Sequence, residues 1–176
     1  MLKALTQILI SLFTLTCIFS FLLNYLNAWI NVSSSLPIGI YLIKKDDGIP
    51  KKGDLVLSCI PKLYANLAFE RGYLTSGKCE NKIAPVGKYI AAAKGDNVRT
   101  ASDGIYINGK LIKNSKAQKY DANGFKMFTQ SINRTLYDNE ILLLNEKENS
   151  FDSRYFGIID TNFIIGKLEP LAILKE

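Results

Sequence analysis

Residues 31–41 read NVSSSLPIGIY, and the chain changes character across them. On the amino-terminal side, residues 4–30 (ALTQILISLFTLTCIFSFLLNYLNAWI) are apolar, and no charged side chain occurs between Lys3 and Lys44. A bilayer crossing needs roughly 20 residues of apolar helix, and this run exceeds that. A cleaved signal peptide, with an apolar region of about 7 to 15 residues and a small-residue cleavage site, fits less well, since Ala28 offers only a weak site. A buried core helix is the third reading. The length of the run makes a single N-terminal transmembrane helix the expected form, an anchor over residues 1–30. Lys3 and the free amino terminus orient its start toward the cytoplasm, which places residues 31–176 outside. The serine-rich stretch then joins a membrane helix to whatever follows. By itself it is either a linker or a site of chemistry.

The 176 residues carry a net charge of +6 and 48% apolar content, enough for one folded domain beyond the anchor. The lysines are scattered among Asp and Glu, and no Arg/Lys stripe or stacking-aromatic motif marks a nucleic-acid site. The positive balance suits a surface near anionic headgroups, so the lipid bilayer is an expected partner and nucleic acid is not. Cys17 falls inside the anchor. Cys59 and Cys79 lie where oxidation is possible, and a single disulfide between them is expected.

Beyond residue 38, short apolar runs alternate with turns. GIYLI at 39–43 and GDLVLSCI at 53–60 read as strands flanking a turn region over 44–52. PKLYANLAFERGYL at 61–74 reads as a helix started by Pro61 and ended by Gly72, with Leu63, Leu67 and Glu70 at helical spacing. KYIAAA at 88–93 is a buried strand that stops at a turn over residues 94–97. GIYINGKLI at 104–112 is broken by Asn108-Gly109, the strongest short-range hairpin signal. Residues 113–139 are polar and aperiodic and read as a surface excursion. EILLLNE at 140–146 and NFIIGKLEPLAIL at 162–174 supply closing strands. The expected fold is mainly β with one or two short helices.

The chain contains no histidine, which removes Ser-His-Asp and Cys-His arrangements and nearly all common zinc sites. No metal or cofactor is expected. An enzyme built on this sequence needs another general base, and a lysine serves only when burial in apolar surroundings keeps its amine neutral near pH 7. Most lysines here sit in polar stretches. Lys88 sits between IAPVG and YIAAA, although an edge lysine that snorkels to water has the same signature. A serine hydroxyl needs such an amine to become a nucleophile, and the NVSSSLPIGIY turn carries three. In NSFDSRYFG at 149–157, Asp152 and Arg154 are two apart, so they share one face of a strand or pair in a turn. A surface ion pair is the plain alternative.

Three motifs in order behind a membrane segment resemble a known family: the membrane-bound type I signal peptidases with a Ser/Lys dyad, and among them the conjugative-transfer signal peptidases of the TraF type. SSSLP is similar to that family's Ser-x-Ser-(Met/Leu)-Pro box. KYIAAAKGD is similar to its Lys box, with the same interval from Lys88 to Gly95-Asp96. SFDSRYFG is similar to its Ser-x-Asp-Ser-Arg box. SLPIGIY, LAFERGYL followed by SGKCE, and the pair Cys59 and Cys79 resemble the transfer peptidases more than general leader peptidases. Two departures stand out: Leu144-Asn145-Glu146 where general peptidases have Gly-Asp-Asn, and Lys94 where Pro is usual. The chain also leaves no room for the general peptidases' larger second β domain.

The resemblance implies a signal-peptidase-like β domain with Ser35 as nucleophile and Lys88 as general base. Ser33 would offer its hydroxyl to the oxyanion beside the Ser35 N–H, and Ser150 would orient the Lys88 amine. Gly95, Asp96, Asp152 and Arg154 would hold the strands. The implied activity is a serine endopeptidase of the bacterial inner membrane, single-pass and with its catalytic domain in the periplasm. It would process, or cyclise, a conjugative pilin precursor alongside pilus assembly proteins. A general signal peptidase acting on exported precursors is one alternative. A catalytically silent, membrane-tethered scaffold of a secretion machine is another.

Overall fold

The computed structural model describes residues 2–45 and 48–174. Asp46 and Asp47, in the turn expected over 44–52, lie outside the described residues, as do Met1, Lys175 and Glu176 at the ends of the expected anchor and domain. The apolar run at the amino terminus divides in two. Helix α1 spans Leu2–Tyr25, and Lys3–Leu23 within it is long and apolar enough to cross a membrane, with a mean hydropathy of 2.0. Asn27 then turns the chain in the left-handed region, φ 50°, a conformation Asn tolerates at helix ends. Residues Ala28–Asn31 form strand β1, which pairs with β2 (Gly39–Lys44) in register Trp29 to Tyr41 and Ile30 to Ile40. Trp29 and Ile30 are therefore sheet residues, and the serine-rich stretch is the connection between two paired strands.

The main sheet has seven strands in the order β1-β2-β11-β3-β4-β9-β10, with β3 at Leu55–Ser58, β4 at Val86–Ala92, β9 at Glu140–Leu144, β10 at Ile159–Asp160 and β11 at Ile164–Ile173. Its strand pairs are antiparallel. β9 is an unbroken apolar run because both of its faces are covered. Ile141 and Leu143 pack in one core with Val56, Ile90 and Phe156, and Leu142 and Leu144 pack in a second with Val98, Ile105 and Ile132. The second core is closed by a four-stranded sheet, β7-β6-β5-β8, made of β5 (Asn97–Ala101), β6 (Gly104–Ile107), β7 (Lys110–Leu111) and β8 (Asn133–Thr135). Asn108 and Gly109 both take positive φ between β6 and β7, as a two-residue hairpin requires.

The structure differs from the sequence reading in several places. The turn over 94–97 gives way at Asn97 to β5, and the excursion over 113–139 contains β8 and a bridge between Tyr120 and Lys126. Helix α2 spans Lys62–Glu70, shorter than the expected 61–74, and it buries Ala65 and Ala68 while Leu63 is 74% exposed. Ala65 packs in one core with Ile60 and Ile83. Of the two readings of Asp152 and Arg154, the strand fails and the turn holds: α3 (Ser153–Phe156) is a single turn capped by the Asp152 side chain, with Asp152 and Arg154 paired. Cys59, just past β3, is disulfide-bonded to Cys79, closing the loop that holds α2.

Candidate active site

β4 brings Lys88 into the interior. Its side chain alternates with Val86 and Ile90 on the same sheet face, both of which belong to the first core, so Lys88 is only 3% exposed. The amine donates to Ser150 Oγ at 2.8 Å and to Ser35 Oγ at 3.3 Å. Burial favours the uncharged amine, the nearby Asp152 carboxylate opposes this and the Arg154 guanidinium adds to it. The balance lowers the Lys88 pKa to about 8. A lysine of this pKa has a substantial neutral fraction near physiological pH, which a general base needs.

Ser35 sits at the turn between β1 and β2, partly exposed, with Ser33 Oγ at 3.0 Å. Beside the turn, Gly87 must lack a side chain: a Cβ there would fall 2.7 Å from Leu36 Cδ1 and 2.9 Å from Trp29 Cη2. Behind Lys88, Ser150, Asp152 and Arg154 are buried. Arg154 pairs with Asp152 at 3.1 Å with both side chains inaccessible, and its guanidinium also donates to the carbonyls of Asn145, Lys147 and Glu148. Burial pushes the Asp152 carboxyl up, against Arg154, Lys88 and the N–H groups of Asn145 and Arg154 that favour its charged form. Gly95 and Asp96 lie apart from this group, at the far end of β4. Asp96 accepts from Lys52, Asn108 and the Ala93 N–H, tying together the turns that begin β3, β5 and β7.

A family model described as signal peptidase, peptidase S26, matches residues 1–172. The chain belongs to this family. It is 35% identical over 147 residues to the plasmid transfer protein TraF of Escherichia coli, covering 82% of each chain. It is 32% identical over 143 residues to the conjugal transfer protein TraF of Agrobacterium fabrum, covering 81% of this chain and 80% of that one. A signal peptidase I of Enterococcus faecalis superposes with a TM-score of 0.40 and 21% identity over 72% of this chain and 99% of its own. The protein is thus a peptidase of the signal peptidase family related to conjugal transfer proteins.

Three residues of this S26 member's site escaped the sequence reading. Asn31 is 2% exposed and gathers the backbone of the serine turn. Asn145 joins Gly87 to Asp152 by donating from its side chain and its backbone N–H respectively. Phe151, next to Ser150, stacks on Tyr155 and packs edge-on to Phe156. The one available signal was position, since Asn31 lies two residues before Ser33, Asn145 stands in the Leu144–Glu146 departure and Phe151 lies between Ser150 and Asp152, and polar or aromatic identity alone does not separate these from ordinary neighbours.

Proposed function

We propose that this protein is a membrane-tethered Ser/Lys endopeptidase that processes a conjugative pilin precursor. The observation that carries the reading is the chain Ser150–Lys88–Ser35, in which a deeply buried amine of lowered pKa reaches the hydroxyl of a serine on a solvent-facing turn. Neutral Lys88 takes the Ser35 proton as Oγ attacks the scissile carbonyl. The new oxyanion accepts from the Ser35 N–H and the Ser33 hydroxyl, an interaction worth a few kcal/mol of barrier. The protonated amine then returns its proton to the leaving amine, and the ester on Ser35 is resolved by water or by the amino terminus of the pilin itself. The second acceptor gives a cyclic product.

Placement against the bilayer fits the apolar tip of the sheet. Ile30, Val32, Ile38 and Leu174 are all more than 40% exposed and carry the hydrophobicity of α1 onto the end of the domain that bears Ser35. The relatives named for plasmid and conjugal transfer favour a pilin over general exported precursors.

The test is coexpression with the pilin precursor encoded nearest the gene, read by intact mass, for wild type, S35A and K88A. A mass drop with wild type alone supports the reading, and an additional loss of one water shows cyclisation. Processing by S35A at the wild-type rate overturns it.

A further inference from the structure

The serine turn hangs on one side chain. The Asn31 amide nitrogen donates to the carbonyls of Ser33 at 2.9 Å, Leu36 at 3.0 Å and Pro37 at 3.1 Å. Its Oδ1 accepts from the Ser33 N–H at 3.1 Å and from the Ser33 hydroxyl at 2.8 Å. Three carbonyls can be met only by the NH₂ group and a backbone N–H only by the oxygen, so the orientation of the carboxamide is fixed by its surroundings. Tyr41 closes the turn from the other side by donating to the Pro37 carbonyl at 2.7 Å. Without Asn31, residues 32–37 would have no side chain holding both their ends.

The hydroxyl geometry adds a second role. Ser33 has one proton, and it lies along the bond to Asn31 Oδ1, which can only accept. Toward Ser35 at 3.0 Å, Ser33 Oγ can then act only as acceptor. With a protonated Lys88 the donors run in one direction, from the amine to Ser35, from Ser35 to Ser33 and from Ser33 to Asn31. With a neutral Lys88 the Ser35 proton swings to the amine, and Ser33 is relieved of its donor from Ser35.

We propose that Asn31 is a positioning residue that sets the nucleophile turn and holds the Ser33 hydroxyl aligned until it turns to donate its hydrogen bond to an oxyanion. Rotation of the Ser33 O–H from Asn31 Oδ1 to the oxyanion breaks one hydrogen bond and forms a stronger, charge-assisted one, with no covalent change, while the Ser33 N–H keeps Oδ1 satisfied. The proposal rests on the Ser35/Lys88 reading above, and it makes Asn31 and Ser33 a unit.

The experiment follows acylation of full-length protein in detergent by an activated alanyl-peptide thioester, in single turnover, for wild type, N31A, S33A and the double variant N31A/S33A. Melting curves are recorded for each. The expected result is a loss of maximal acylation rate of about 30- to 100-fold for N31A and about 100-fold for S33A. The thioester concentration at half-saturation should stay within about threefold of wild type, and the double variant should be no more than about threefold below the slower single. Independent structural damage would instead multiply the losses. Multiplied losses, or an N31A rate within about threefold of wild type, overturn the proposal. If N31A does not fold, N31D carries the same readout: it matches the shape of Asn31 and keeps the acceptor but loses the donors to the three carbonyls, and a wild-type rate there overturns the clamp. S35A and K88A run beside these variants. Acylation of either at the wild-type rate brings down the Ser35/Lys88 reading itself, a result distinct from failure at Asn31.

Discussion

The two ends of β4 carry charge in opposite ways. Near its start, Lys88 is 3% exposed beside the Asp152–Arg154 pair, whose side chains are inaccessible. Just beyond its end, Asp96 meets Lys52, which is 49% exposed. Both groups descend from the same motif, the lysine and the Gly-Asp seven residues on, yet water reaches one and not the other. In the dry cluster a charge is expensive, so the lysine gives up its proton easily and the acid and arginine are obliged to pair. In the wet cluster the same residue types act as a strap. Burial, and not residue type, separates the two clusters.

The largest effect belongs to the dry end. S35A and K88A are each expected to lower processing by at least about 10³-fold with the fold intact, as read by intact-mass kinetics and circular dichroism. K88M sharpens the point. Replacing a buried ionisable side chain by an apolar one of similar length is commonly neutral or stabilising, so K88M should melt at or above wild type at pH 7 while losing activity. A large drop in melting temperature would mean that Lys88 is structural.

D152A comes next. It leaves Arg154 buried without its anionic partner, and breaking such a pair costs about 3–5 kcal/mol, read as a shift of the urea midpoint. A loss near zero would show that the Asn145, Lys147 and Glu148 carbonyls suffice to hold the guanidinium. Removing the disulfide with C59S/C79S follows at about 3 kcal/mol for a loop of this length, and on the proposed Ser35/Lys88 mechanism it should not abolish activity, because neither cysteine belongs to the Ser150–Lys88–Ser35 chain.

pH gives an effect of intermediate size. With the Lys88 amine titrating at about 8, kcat/KM should fall about tenfold per pH unit below that value. The sign for stability runs the other way from an ordinary surface lysine. The folded pKa lies below the reference of 10.5, so between about 8 and 10.5 the unfolded chain binds more protons, and the stability contribution of this residue rises with pH across that window. K88M should flatten that part of the stability profile. A rate profile without an inflection near 8 would break the link between burial and base.

How much of this could be read in the sequence also follows burial. The interior strands were legible because apolar runs and Asn-Gly turns announce themselves, and Lys88 stood out by its apolar neighbours. β1 was hidden, since Ala28-Trp29-Ile30 is as apolar as the helix before it and the break rests on the backbone of Asn27. β5 and β8 were hidden for the opposite reason: NVRTA buries Val98 alone and NRT buries nothing, too few apolar residues for the alternation that reveals a strand. Asn31 could not be distinguished from a linker residue, because its work is done on carbonyls that have no sequence.

The smallest effect closes the comparison at the wet end. Burial pushes the Asp96 carboxyl up, but the Ala93 N–H, Lys52 and Asn108 outweigh it and leave it below its usual range. Lys52 is 49% exposed, and an exposed pair contributes about 0–1 kcal/mol after side-chain entropy and screening. K52A should therefore cost less than about 1 kcal/mol and disappear into the baseline at high salt. D96A should cost more, about 1–3 kcal/mol, since it leaves the part-buried Ala93 N–H without its acceptor in the turn. If K52A instead matched D96A, the strap would be held by charge and not by hydrogen bonds to the backbone, and the contrast between the two ends of β4 would be one of degree.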